Sequence, residues 1–343
     1  MKQKTHRNHY VPQFYLRFWS HDGKEVLRYD TLAADERVPL WQKRSIKSTA
    51  CLTDFYTQSK DGSDDDGVEE LFADRYESPA RPVFHKVSLG QSISPGELST
   101  LIDYVAAQLV RTPAWFQRSN ELYANVFDSV APRVIDDALQ QARNLKEGKP
   151  PANFPAPRAV DPFPQAPIRT TIDTEEGTIQ VDSIVGRQSF LNSSGNALAG
   201  KIAATLHSHS WEILEFPESL PLPTSDNPVV LFGRYGDGTS ALSSGIGQRG
   251  TDIFFPITPH HLLFTEVGRG TEEIAAINID RALPSIFEAI VCNATRYIFA
   301  ENRMPWVEKV RPRVVSSEQY EREEQRKRGW GQEQSNIEDG FRR

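Results

Sequence analysis

Residues 94–109 decide the fold class. They read Ser94-Pro95-Gly96-Glu97, then Leu98-Ser99-Thr100-Leu101-Ile102-Asp103-Tyr104-Val105-Ala106-Ala107-Gln108-Leu109. A capping serine, proline at the first helical position and glutamate three residues past the cap make a helix start. Leu98, Leu101, Ile102, Val105 and Leu109 then recur at i, i+3, i+4, i+7 and i+11, one buried stripe. With Leu98 at 0° and about 100° per residue, Tyr104, Gln108 and Arg111 fall near about 240°, 280° and 220°. They form a polar stripe beside the core face. Thr112-Pro113 restarts the helix, and the helical pattern continues to about residue 147, with a kink at Pro132 and a stop at Gly148.

Upstream of this helix, residues 9–20 predict a short helix with Pro12 in its first turn and Phe14, Tyr15, Phe18 and Trp19 as aromatic bulk. Residues 24–30 and 51–59 read as strands, 61–67 as a polar loop, and 68–78 as a helix ending before Pro79 and Pro82. The loop is not an EF-hand, because glycine and alanine would stand where calcium needs carboxylates.

Downstream, residues 147–167 hold seven prolines and read as an extended connector. Beyond it the pattern changes. Residues 168–182 predict two strands around Glu176-Gly177, 189–208 a helix, and 211–216, 228–233, 252–257 and 262–267 four strands. Residues 280–300 predict a helix with Leu283, Ile286, Phe287, Ile290, Ala294 and Ile298 on one stripe, and the charged stretch from 315 a solvated helix or frayed tail. The expected class is α+β: a helical N-terminal half with short strands (1–147), a proline-rich connector (148–167), a mixed, β-rich C-terminal half (168–314) ending in a long helix, and a charged tail (315–343).

Composition narrows the function classes. The chain has 343 residues, 39 Lys+Arg against 46 Asp+Glu and a net charge of −7. A chain of that length buries a core without staples, which excludes a disulfide scaffold. No run approaches the roughly 18 apolar residues of a membrane span, and no apolar stretch follows the basic start, so a soluble, cytoplasmic protein is expected. Cys51 and Cys292 lie far apart, in no CxxC, and read as two reduced thiols. The acidic balance argues against a surface that grips nucleic acid everywhere. Residues 1–50 nevertheless carry ten Lys/Arg against five Asp/Glu, and residues 51–80 two against nine. These segments either pair with each other or meet an anionic ligand.

The string His9-Tyr10-Val11-Pro12-Gln13-Phe14-Tyr15-Leu16-Arg17, with Gln108-x-x-Arg111-Thr112-Pro113, Thr224-Ser225-Asp226-Asn227-Pro228-Val229, Pro256-Ile257-Thr258-Pro259 and the glutamates Glu70 and Glu77, resembles an uncharacterised bacterial family, domain of unknown function family 4238. The similarity extends over most of the chain; the loop 61–67 and the proline-rich stretch look like insertions. The resemblance implies positions rather than a reaction, together with a prokaryotic, mobile-element or defence-type setting.

Each candidate residue has a chemical and a packing explanation. His9, just before a helix N-terminus, could act as a base or metal ligand, or could pack the entry loop with Tyr10. Glu70, Asp74 and Glu77 at i, i+4 and i+7 would line one helical face, suited to Mg²⁺ or Mn²⁺ or left as a solvated acidic surface. Tyr104, Gln108 and Arg111 are donors that would hold an anion, or pair with Glu70 and Glu77 across two helices. Asp226 and Asn227 before Pro228 are either turn chemistry or a strand-mouth ligand and general base with its orienting amide. His207 with His209, and His260 with His261, read as incidental pairs. P-loop, GxGxxG, GxSxG and HExxH signals are absent.

Three functions are therefore weighed. In the first, His9 and Asp226 bind Mg²⁺ or Mn²⁺ and, with Gln13, Glu70 and Glu77, hydrolyse a phosphoester of nucleic acid or a nucleotide, with Tyr10, Tyr104, Gln108, Arg111 and Asn227 contacting substrate. In the second, a non-catalytic regulatory module holds a small anion or a partner. In the third, all the motifs are core networks that specify the fold.

Overall fold

A computed structural model describes residues 6–60, 63–148, 160–173, 178–234, 240–242, 244–275 and 279–342. The tip of the 61–67 loop, most of the proline-rich connector and the Glu176-Gly177 turn lie outside the described residues.

The capped helix forms as the sequence predicts. Ser94 Oγ accepts the Glu97 N–H at 3.3 Å and Glu97 Oε2 accepts the Ser94 N–H at 2.7 Å, opening the helix Pro95–Leu109. Thr112 caps the next helix, Pro113–Lys146, by accepting the Trp115 N–H at 3.2 Å. Tyr104, Gln108 and Arg111 are as buried as the apolar stripe, so both sides of the Pro95–Leu109 helix face protein.

The acidic helix departs from its expected end. An α-helical turn, Gly67–Leu71, passes into a π-helical stretch, Phe72–Glu77, and then into the helix Ser78–Ser88. Pro79 falls at the start of that last segment, where the preceding wide turn already disrupts the i→i−4 ladder, so Pro79 does not stop the chain. Two other expectations are corrected. Residues 9–20 hold only the helical turns Gln13–Leu16 and Arg17–Trp19, because residues 7–9 pair as a strand with Cys51–Thr53. The helix expected over 280–300 runs from Ile279 to Asn293, and Tyr297–Ala300 is a strand. Its three aromatic and β-branched residues pair with Glu25–Asp30, in the register Tyr297↔Asp30 to Ala300↔Leu27.

The fold is α+β, helical in its N-terminal half, β-rich in its C-terminal half and closed by the long helix Ser317–Arg342. Five antiparallel strands form one sheet in the order Glu212–Glu215, His261–Glu266, Thr251–Thr258, Val230–Arg234, Ser240–Leu242. Thr251–Thr258 is buried along its whole length, and its ladder shifts register between Pro256 and Thr258, where proline cannot donate. A four-stranded sheet mixes the two halves of the chain: Thr224–Ser225, Tyr297–Ala300, Glu25–Asp30, Trp41–Ser45.

The largest core cluster also spans both halves. Phe14, Tyr15, Phe84, Tyr104 and Phe255 meet edge to face or tilted, with centroids 5.0–6.1 Å apart. Tyr15 Oη lies 2.6 Å from Thr224 Oγ1 and donates to the Pro256 carbonyl at 2.7 Å. The indole of Trp19 donates to the Leu222 carbonyl at 2.8 Å.

The charged C-terminal stretch is neither frayed nor wholly solvated. Glu338 receives a bidentate pair from buried Arg187, at 2.9 and 2.8 Å, and Gln334 Oε1 accepts the Arg187 N–H at 2.7 Å. Trp330 packs on Phe116 and Phe55, at 4.7 and 5.5 Å between centroids. Gly331 lets the helix approach Asp54 closely: a Cβ there would stand 2.8 Å from a carboxylate oxygen.

Candidate functional site

The HYVP main chain is held through both its N–H and its carbonyl groups. Ala50 O accepts the Tyr10 and Val11 N–H groups at 3.0 and 3.5 Å. From the end of the Pro95–Leu109 helix and just beyond it, Gln108 Nε2 donates to the Tyr10 carbonyl at 2.8 Å, and Arg111 Nη2 to the His9 carbonyl at 2.6 Å. Glu69 accepts the His9 N–H. Arg111 also donates to Glu77 Oε1 at 2.8 Å, stacks over Phe72 at 4.7 Å, and its own carbonyl accepts the Tyr56 hydroxyl. The Q-x-x-R element thus clasps the HYVP backbone.

Electrostatics follow burial. Burial works against the Arg111 charge, but Tyr56, Glu77 and Glu69 around it outweigh burial and raise its pKa. Burial pushes Glu69 up to about 7, opposed by Arg111. Burial lowers the His9 imidazole, aided by Arg111 and opposed by a hydrogen bond to the Lys47 backbone. The carboxylates facing Arg111 are Glu69 and Glu77, whereas Glu70 and Asp74 are exposed. The π-helical stretch lies between Glu70 and Glu77 and breaks the α-helical spacing that would have aligned them.

A cleft of about 430 Å³ opens where the HYVP segment, the four-stranded sheet and the C-terminal helix meet. Tyr10 and Asp226, from two motifs more than two hundred residues apart, both line it. Asp226 is 3% exposed, and its oxygens accept the N–H groups of Thr295, Arg296 and Tyr297 at 2.7, 2.8 and 3.0 Å. Burial raises its pKa against those three bonds. This carboxylate shapes the 295–297 turn and thereby ends the preceding helix at Asn293.

Around that turn, Tyr297 is the centre of a cationic group. Lys327 Nζ donates to its hydroxyl at 2.6 Å and to Glu324 at 3.1 Å, and Arg28 lies over its ring at 4.3 Å. Arg296 pairs with Asp30 at 3.0 Å, Glu323 at 2.8 Å and Glu324 at 3.3 Å. Arg311 donates to the Val291 and Cys292 carbonyls, each at 2.9 Å, at the end of the Ile279–Asn293 helix. Arg326 has no ion-pair partner among the described residues. Four cations (Arg296, Arg311, Arg326, Lys327) line the cleft against two carboxylates (Asp226, Glu323), with Phe116 and Trp330 as an aromatic wall.

Of the sequence candidates, only Tyr10 and Asp226 line this cleft; His9, Gln13, Glu70, Glu77, Tyr104, Gln108, Arg111 and Asn227 do not. Tyr104 packs among Phe14, Phe84 and Phe255. Gln13 begins the first helical turn, half-buried. Asn227 exchanges hydrogen bonds with Asn293, at 3.1 and 2.7 Å. His207 meets Asp103 at 2.8 Å and His261 meets Thr258 at 2.8 Å. Among the described residues no group of three or more His, Cys, Asp or Glu is placed to hold a metal ion. No helix among them is long and apolar enough to cross a membrane. Sequence reasoning missed Tyr297, Arg326, Lys327 and Trp330. The periodicity over 280–300 places the first in a helix, and the charged stretch from 315 reads as a solvated helix or frayed tail.

Fold and site together define an α+β protein with an aromatic cleft, lined by four cationic side chains of which Arg296 and Lys327 are ion-paired, built from both halves of the chain. It belongs to the family described as Protein of unknown function (DUF4238), which matches residues 7–304. The C-terminal helix, one wall of the cleft, lies beyond the matched residues. No curated protein and no solved structure matches the chain.

Proposed function

We propose that the protein is a non-catalytic binding module that holds a small anion carried on a flat or aromatic body. The observation that supports this reading is the convergence of Tyr10 and Asp226 on one cleft whose lining carries four cations against two carboxylates in a chain of net charge −7. Arg326 meets the anionic group together with Lys327, which also pairs with Glu324; Tyr10 supplies a hydroxyl, and Phe116 and Trp330 provide a surface for the ring. Asp226 acts through the 295–297 turn.

Phosphoester hydrolysis with Mg²⁺ or Mn²⁺ at His9 and Asp226 has less support. The Asp226 oxygens are already taken by three backbone donors, and His9 is outside the cleft. The test is calorimetric titration of the full chain with inorganic phosphate, mononucleotides and aryl carboxylates. A ring-bearing anion should bind, and Lys327→Ala should weaken it at least tenfold. Failure of every anion to bind, or equal binding by Lys327→Ala, overturns the reading. Mg²⁺- or Mn²⁺-dependent turnover of a nucleotide or nucleic acid in the same samples replaces it with hydrolysis.

A further inference from the structure

A second recess, of about 350 Å³, lies on the opposite kind of surface. The strand Glu212–Glu215 is an edge of the five-stranded sheet, pairing only with His261–Glu266 among the described residues. Its register runs from Glu212↔Phe264 to Glu215↔His261, and on the same line the Phe216 N–H donates to the His260 carbonyl at 2.8 Å. Main-chain groups alternate sides in an antiparallel ladder. Phe216, Leu214 and Glu212 therefore bond inward, while Ile213 and Glu215 direct their N–H and C=O groups to the open edge. That edge faces the 90–93 segment across the recess, with Val87, Ile93, Leu98 and Trp211 supplying apolar wall.

The recess is acidic. Glu212 and Glu215 line it, no lysine or arginine does, and neither glutamate has an ion-pair partner among the described residues. His261, which also lines it opposite Glu215, is held below its ordinary pKa by burial against the pull of Glu215. Being three apart on a strand, they project from opposite faces of the sheet. We infer that this edge takes an extended segment of a partner protein as an added strand, one bearing lysine or arginine three residues apart among aliphatic residues. The main chain pairs with Ile213 and Glu215, one basic side chain reaches a carboxylate on each face, and an aliphatic side chain enters the apolar wall. Charges also keep sheet edges from pairing with another copy of the same chain, but that role needs no recess beside the strand.

The test uses the full chain and a fluorescein-labelled heptapeptide with lysines three apart among threonine and valine, read by fluorescence anisotropy. The lysine peptide should bind, and its glutamate counterpart at least tenfold more weakly. N-methylation of alternate peptide amides should abolish binding. Ile213→Pro removes only an outward N–H, so it should keep the sheet and lose at least tenfold in affinity. Glu212→Lys with Glu215→Lys should reverse the preference, and Lys327→Ala should leave peptide binding unchanged. Equal binding of the two peptides, or undiminished binding of the N-methylated one, overturns the inference. So does self-association of a Glu212→Gln, Glu215→Gln variant when the native chain takes up no peptide.

Discussion

Arg111 grips the main chain of His9 and not its imidazole: Nη2 donates to the His9 carbonyl at 2.6 Å while Nη1 donates to Glu77 at 2.8 Å. The histidine that opens the HYVP motif is thus a backbone position as much as a side chain. Arg111 is 1% exposed. Arg111→Ala would leave half-buried Glu77 with only the longer Arg81 contact, at 3.5 Å, and would strip the His9 carbonyl of its guanidinium donor. It should cost about 3–5 kcal/mol, the loss expected when one member of a buried pair is removed. Arg111→Lys, lacking the fork, should recover only part of that. Urea denaturation followed by tryptophan fluorescence measures both; a change below about 1 kcal/mol for Arg111→Ala would contradict the clasp.

Glu69 makes stability depend on pH with a defined sign. Burial holds its folded-state pKa at about 7, above its ordinary value of 4.5. The folded state therefore binds a proton that the unfolded state releases. This contribution is fully present below about pH 4.5 and is lost as pH rises to about 7, on the order of 3 kcal/mol at most. Glu69→Gln should flatten that slope. His9 works in the other direction: burial lowers its pKa, so its contribution is present above the ordinary value of 6.5 and is lost as pH falls. Denaturation midpoints of the native chain, Glu69→Gln and His9→Ala at half-unit pH steps separate the two; an unchanged slope in Glu69→Gln counts against the buried, proton-holding carboxylate.

Asp226→Asn distinguishes a carboxylate that organises the fold from one that works on a substrate. Its two oxygens take three backbone donors from residues 295–297. Asparagine presents one oxygen and an NH₂ that faces N–H groups. The variant should lose about 2–4 kcal/mol through unsatisfied buried donors, and ligand affinity should fall with the turn. A purely catalytic aspartate would leave the thermal midpoint nearly unmoved. Differential scanning calorimetry reads the difference directly.

What the sequence revealed and what it hid follow from range. The capped helix at Ser94 and the four C-terminal strands were legible because caps and short-period patterns are local. The clasp was half legible: pairing between the Arg111 stripe and the acidic helix was expected, but the partner set includes Glu69, not Glu70, because a π-helical stretch cannot be read from spacing. Tyr297–Ala300 matched a helical stripe in sequence, yet the Asp226 carboxylate, sixty-nine residues before Thr295, stops the helix and a strand at 25–30 recruits the segment. The sparse apolar residues of the C-terminal stretch make it read as a solvated helix or a frayed tail. Its docking rests on a tryptophan, a glycine and a buried glutamate whose partners lie far upstream.

That docking yields the last prediction. Trp330 contacts Phe55 and Phe116, and Glu338 fills the fork of Arg187 with both groups under a tenth exposed. Trp330→Ala should cost about 2–3 kcal/mol, below a full core value because the ring is only partly buried. Glu338→Gln leaves the Arg187 charge buried with a weaker partner and should cost a similar amount. The two sites lie on one helix and share its docking, so the double variant should release Ser317–Arg342 as a unit, at less than the sum of the two. Hydrogen–deuterium exchange can see this. Amides of 317–342 should exchange fast in the double variant while Pro95–Leu109 stays protected, and anion binding should be lost with the indole removed and Lys327 displaced. Retention of slow exchange throughout the helix would mean that contacts other than Trp330 and Glu338 hold the wall of the cleft in place.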